Sequence, residues 1–166
     1  MANAKVTADP TWYGGASLAN QTAYGQGAGF GQQMARKVVA FDGNAGNGQI
    51  GTVALFTVTG AVAINITAIC TETLVGAATL ECGTPGATAG IIAQIANATA
   101  LATGEIWYDG TPTTVLDTLA ASMLGFVIGD GADIQLTVGA ANITDGTIEF
   151  TVFWTPLTAN GNVVAV

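Results

Sequence analysis

Apolar side chains recur at every second position along residues 51–82, which read GTVALFTVTGAVAINITAICTETLVGAATLEC. A period of two is typical of a β-strand with one buried face. One face of the middle of this stretch is wholly apolar: it carries Val62, Ile64, Ile66, Ala68 and Cys70. The alternation pauses around Gly76 and resumes at Ala78. We therefore predict a hairpin centred at Gly76, in which the second strand returns beside the first.

The same pattern predicts further strands along the chain. They lie at 35–41, 50–59, 61–72, 77–83, 105–108, 123–128, 133–138 and 147–155, with 162–166 as a last edge segment. Thr59-Gly60 is compatible with a tight turn or with a bend in one long strand. Isoleucines and alanines at helical spacing predict one short helix over 89–98, although the flanking strand pattern competes with it. Residues 113–123 fit no single pattern.

Many short strands with little helix predict an all-β fold, an antiparallel β-sandwich whose expected form is a jelly roll. Its 166 residues are enough for one domain with its own core. The composition is unusual, because 50% of the residues are hydrophobic and 8% are charged, where about a quarter is the usual charged share. We infer that much of the outer surface is buried against other subunits, as in a homo-oligomer or a lattice.

Charge is unevenly distributed along the chain. Residues 1–37 hold all three basic residues, Lys5, Arg36 and Lys37, whereas ten of the eleven acids follow them. The acidic body disfavours binding to nucleic acid or to an anionic membrane surface. Arg36 and Lys37 either dock on an acidic partner or are simply solvated.

The first 33 residues form no apolar face and are rich in Gly, Ala, Gln and Asn. We predict an extended glycine-rich arm over 1–33, followed by the sandwich domain over 34–166; a disordered tail is the alternative. Extended, the arm spans roughly 100 Å at about 3.3 Å per residue. Together with Arg36 and Lys37, its aromatic side chains are the predicted interface anchors: Trp12, Tyr13, Tyr24 and Phe30.

The start of the chain has no apolar core of the kind found in secretion signals, so synthesis and retention in the cytoplasm are expected. Residues 51–70 contain no charge and superficially match a membrane span. Asn65 and the period of two favour strands instead. We expect no membrane partner.

Candidate chemistry is sparse. The chain contains no histidine, which removes the usual triads and histidine metal sites. Asp130 and Asp133, with Asp109 or Asp145, are conceivable calcium ligands, but Asp-Gly pairs more often mark hairpin turns. The glycine-rich loop 43–48 lacks the Lys-Ser/Thr of a phosphate loop. We therefore predict no catalytic residue, no metal and no cofactor, and a protein that is not an enzyme.

Cys70 and Cys82 are the only cysteines. In a hairpin centred at Gly76 they would lie directly opposite each other, in a position to form a disulfide. A reducing cytoplasm favours two buried free thiols instead.

Several short blocks occur in a distinctive order between residues 50 and 166: GTVALFTVTGAV, AICTETL, AATLECGTPGATAGII, GEIWYDGTP, IGDGADIQLTV and FTVFWTPLTANGNVV. This set resembles a group of small bacteriophage virion structural proteins encoded among head genes. The resemblance implies a capsid decoration (cement) protein, a β-sandwich homotrimer seated on the exterior of the shell with the major capsid protein as partner. A head-fibre or tail/adhesin component is the alternative, and a glycan hydrolase is a remote third.

Overall fold

The computed structural model describes residues 33–113 and 125–166, which form ten strands and one turn of 3₁₀-helix. Every pairing between the strands is antiparallel, so the prediction of an all-β, antiparallel fold is confirmed. The strands are β1 (Gln33–Ala40), β2 (Gly51–Thr59), β3 (Val62–Val75), β4 (Thr79–Thr84), β5 (Ala87–Ile95), β6 (Ile106–Trp107), β7 (Phe126–Ile128), β8 (Ile134–Gly139), β9 (Asp145–Pro156) and β10 (Asn162–Ala165).

Two five-stranded sheets form a sandwich. The first sheet has the order β1-β9-β3-β6, with β7 also paired to β3, and the second has the order β10-β2-β8-β4-β5. One hydrophobic core lies between them, and its largest fully buried side chains include Trp107, Phe56 and Phe150. The jelly-roll arrangement stays a prediction.

Alternation along β3 and β9 builds the first sheet's half of the core. The predicted apolar face of β3 is buried, from Val62 through to Cys70. On β9 the side chains from Ile148 to Trp154 alternate in the same way. Their registers match, with Ile66 opposite Val152 and every second pair pointing into the core. The predicted strand faces are thus confirmed where these two strands meet.

The predicted hairpin at Gly76 is wrong. The strand before Gly76, β3, belongs to the first sheet and continues to Val75, whereas β4 belongs to the second sheet. There Leu80 lies between Val138 of β8 and Ile95 of β5. A chain that crosses between sheets buries alternate side chains just as a hairpin does, so the hydrophobic pattern does not distinguish the two connections.

The predicted helix over 89–98 is also wrong, because Ala87–Ile95 forms the edge strand β5. Register shifts between β4 and β5 interrupt the alternation, so that Ile91, Ile92 and Ile95 are all buried. Bulges of this kind place neighbouring residues on the same side of a strand. The resulting spacing imitates that of a helix. Helical geometry occurs nearby only as the 3₁₀ turn Ala98–Ala100, which Asn97 caps by accepting a hydrogen bond from the backbone N–H of Thr99.

Thr59-Gly60 is a sharp turn that carries the chain from the second sheet to the first. Gly60 has φ +61°, and a Cβ there would lie 2.6 Å from Oδ1 of Asn160. Both facts favour glycine at this position. The predicted arm over 1–33 lies outside the described residues except for Gln33, which begins β1, and most of the ambiguous segment 113–123 lies outside them as well.

Candidate interaction surface

The aspartates considered as calcium ligands serve turns and loops. In each, Oδ1 accepts a backbone N–H: Asp109 from Thr111, Asp130 from Ala132, Asp133 from Val58 and Asp145 from Gly146. Across residues 33–113 and 125–166, no three acidic or thiol groups come close enough to hold a metal ion. Three of these carboxylates therefore stabilise their own turns, and that of Asp133 joins its loop to Val58 on β2.

The two cysteines are buried and free, and they lie in different sheets. Their predicted position opposite each other is wrong because the hairpin that would bring them together does not form. The Cys70 thiol donates to the carbonyl oxygens of Glu72, at 3.0 Å, and Leu101, at 3.4 Å. Burial raises the pKa of the Cys82 thiol to about 12 from an ordinary value of 9.0, because the apolar core disfavours the thiolate.

The Cys82 thiol should make the protein less stable in alkali. The folded state holds this proton more tightly than the unfolded state does, so the stabilisation is complete below about pH 9 and is lost as the pH rises toward 12. Urea unfolding of the wild type and of Cys82→Ala, at about pH 8 and about pH 10.5, isolates this contribution. We expect a steeper alkaline loss in the wild type. Parallel losses in the two proteins would contradict the assignment.

The outward surfaces of the two sheets differ in chemistry. On the second sheet the outward positions are mostly polar, among them Thr52, Thr57, Glu81, Gln135 and Thr137, and the one exposed large hydrophobic residue of its described strands is Val164. The strands of the first sheet carry five such residues. Val75 is 50% exposed at the end of β3, and the other four are outward-facing residues of β1, β3 and β7: Met34 is 53% exposed, Val38 55%, Ile69 43% and Val127 69%. Phe153 and Ala63 lie between them. We call the surface formed by these six residues, Met34, Val38, Ala63, Ile69, Val127 and Phe153, the outer apolar face.

In the described part of the chain, the charged side chains within the rows of the outer apolar face are one ion pair. Arg36 Nη1 on β1 lies 3.1 Å from Glu149 Oε1 on the adjacent strand β9. Because the Arg36 side chain is 60% exposed, the pair contributes under about 1 kcal/mol to stability. The next acid along β3 is Glu72, beyond a bulge, where its carboxylate accepts a hydrogen bond from the Thr147 hydroxyl. The face is therefore close to neutral in a chain of net charge −8.

A groove of about 310 Å³ opens at one end of this face, between β3, β7 and β9. The half-buried rings of Phe126 and Phe153 line it together with Ala63, Asn65 and Val127. A side chain from a partner has room to enter there.

The predicted interface residues are only partly placed by the described structure. Arg36 and Lys37 point to opposite faces of β1. Arg36 lies beside the outer apolar face, whereas the Lys37 ammonium donates to the backbone carbonyl of Val166 at the edge of the sandwich. The aromatic anchors lie outside the described residues: Trp12, Tyr13, Tyr24 and Phe30.

Sequence reasoning missed the outer apolar face, although its signal was present. The second, outward set of positions on β3 and β9 includes Ala63, Ile69 and Phe153, where a solvated sheet would carry polar residues. Which outward positions of β1, β3, β7 and β9 adjoin each other depends on strand order, and strand order is a property of the fold.

These features define the class as an antiparallel β-sandwich in which one outward surface is mostly polar and the other exposes large apolar side chains among polar ones. No protein-family model, no curated protein and no solved structure matches the chain. In residues 33–113 and 125–166, no helix has the length and apolar character needed to cross a membrane.

Proposed function

We propose that this chain is a structural protein of a bacteriophage virion, a decoration (cement) protein that binds the exterior of the assembled head. The observation that carries the proposal is the outer apolar face, an almost uncharged surface with four exposed large hydrophobic side chains in a small acidic protein. Surfaces of this kind mark sites of protein association. The resemblance of residues 50–166 to phage head-associated proteins supplies the identity of the assembly.

In this proposal the sandwich associates with copies of itself, as a trimer, and residues 1–32 reach the major capsid protein. The aromatic side chains of that segment supply large contact areas at low entropic cost. A protein that binds the assembled shell and not its separate subunits stabilises the assembled state by linkage. It needs no catalytic group or cofactor for this task. Its site of action is the outside of the particle, after synthesis in the cytoplasm of the host.

One observation favours the second candidate, a head-fibre or tail/adhesin component. The groove beside Phe153 combines aromatic walls with an amide and a hydroxyl side chain, those of Asn65 and Thr155. Aromatic rings combined with polar groups also suit binding of a small ligand such as a sugar. A fibre component would bind glycans and project from the particle, whereas a decoration protein would cover the shell in fixed stoichiometry.

The proposal is tested by adding the purified chain to phage heads prepared without it and measuring the copies that sediment with each head. We expect saturable binding and heads that resist heating better. Deleting residues 2–32 should abolish binding, because this segment is proposed to contact the major capsid protein. The deletion should leave the sandwich folded, since β1 begins at Gln33 and the described core lies beyond it. Circular dichroism of the deletion variant, compared with the full chain, checks that the sandwich is intact. Full occupancy by the shortened chain would contradict the role of the arm.

A further inference from the structure

We propose that the outer apolar face forms the contact between copies of this chain around a shared symmetry axis. This inference rests on the proposed function, and it names a second copy of the chain as the partner of the outer apolar face. Hydrophobic area, charge and relief of the face each support a second copy as the occupant.

The outer apolar face spans four neighbouring strands, and one polar row lies between its apolar rows. Val127 on β7 is paired with Ala63 on β3, and Phe153 on β9 is paired with Met34 on β1. At about 4.8 Å between strands and about 3.3 Å per residue, the patch measures roughly 15 by 20 Å. That is a few hundred Å², the size at which an exposed apolar patch ceases to be incidental.

Charge selects a second copy over an oppositely charged partner. The chain has a net charge of −8, so two copies repel each other unless they meet where acids are few. The outer apolar face fulfils this condition, since its charges are the paired Arg36 and Glu149. A basic partner would gain more from the acidic remainder of the surface than from this neutral part. The face therefore suits a partner that carries the same charge as the chain itself.

The relief of the face is suited to packing on a copy of itself. Three rows of paired residues cross β1, β9 and β3: Met34-Phe153-Asn65, Arg36-Thr151-Thr67 and Val38-Glu149-Ile69. The apolar members of the outer rows are Met34 and Phe153 on one side and Val38 and Ile69 on the other, and the middle row holds Arg36 and two threonines. When one sheet packs on another, side chains in such rows contact those of the partner sheet. Across the axis, Arg36 of one copy can also pair with Glu149 of the next.

The test is the oligomeric state of the full chain, measured by analytical ultracentrifugation over a range of concentrations. We expect a dimer or trimer that Val127→Glu weakens at least about tenfold, because a carboxylate would be buried in the contact. Val127 faces Ala63, so the new charge has no repulsive partner in its own strand pair. The matched control is Val164→Glu, at a residue 52% exposed on the other sheet, which should associate like the wild type.

Salt provides a second readout. Raising ionic strength from about 0.01 M to about 0.1 M shortens the screening length from about 30 Å to about 10 Å. Association of like-charged copies through a neutral face should therefore tighten with salt. Association through opposite charges would weaken instead, and that result would overturn the inference.

Other outcomes also overturn it. They are a wild type that stays monomeric, a Val127→Glu variant that associates normally, and equal losses in Val127→Glu and Val164→Glu. A monomer that Val127→Glu destabilises would show that a segment of the same chain covers the face. A monomer that still binds heads would overturn this inference and leave the proposed function standing. An oligomer that fails to bind heads would overturn the proposed function and leave this inference standing.

Discussion

Replacing Trp107 with alanine is expected to lower the free energy of unfolding by about 3–5 kcal/mol, a large part of the stability of an ordinary domain. Trp107 is fully buried on the two-residue strand β6, and its ring meets Phe150 edge to face at 6.2 Å between centroids. Ala68 stands between the two rings in the same row of the sheet, opposite both residues. Because the Ala68 side chain is small, the two rings have room to contact each other above it. Truncation of Trp107 would therefore leave a cavity at this position.

Urea unfolding followed by circular dichroism measures this effect, and Trp107→Phe is the control. The buried indole Nε1 of Trp107 has no hydrogen-bond partner among the described residues, so phenylalanine removes a polar group that costs free energy while it keeps most of the apolar contact. We expect Trp107→Phe to cost at most about 1.5 kcal/mol. Comparable losses in the two variants would show that the energetic contribution of Trp107 does not come from filling the core.

The Gly48→Ala substitution is expected to destabilise the protein by about 3 kcal/mol, through backbone strain and overpacking together. Gly48 has φ +112°, and a Cβ at this position would lie 2.2 Å from the carbonyl oxygen of Ile143. That contact involves backbone on both sides, because the Ile143 N–H donates to the Gly48 carbonyl at 2.8 Å. Neither loop can therefore move away without loss of this hydrogen bond.

Gly46 in the same loop provides the matched control. It also has positive φ, +78°, but a Cβ there would meet nothing within 4 Å. Gly46→Ala should cost about 1 kcal/mol, the strain of a left-handed alanine alone. Thermal and urea unfolding of the two variants separate strain from steric overlap. Equal destabilisation would mean that the loop relaxes around the added methyl group of Gly48→Ala.

Side-chain alternation was sufficient to predict the fold class and most strands, because burial of one sheet face is encoded residue by residue, as in Ile64 and Ile66. It could not predict which strand lies beside which. The hairpin at Gly76 failed for this reason, since the same alternation serves a crossing between sheets. The helix over 89–98 failed because bulges in β5 bring Ile91 and Ile92 to the same side. Bulges depend on the partner strand and leave no local signature.

The outer apolar face could not be predicted for the same reason, because its position depends on strand order. Low overall charge predicts that some surface is buried in an assembly, but it does not indicate which outward positions carry exposed apolar side chains. Val38 and Val127 lie almost ninety residues apart in the sequence and are brought to one face by β9 and β3. Arg36 and Lys37 were grouped because they adjoin in sequence, yet neighbouring residues of a strand point in opposite directions.

The position of β9 in the first sheet has a consequence for synthesis on the ribosome. This strand, Asp145–Pro156, is second from last in the chain, yet it separates β1 from β3 and pairs with both. The first sheet cannot close until residue 156 has left the exit tunnel. Until then the apolar side chains of β3 lack their partner strand, and folding waits on contacts distant in sequence. We therefore expect the nascent chain to expose the apolar face of β3 until then, which is the kind of surface that chaperones protect.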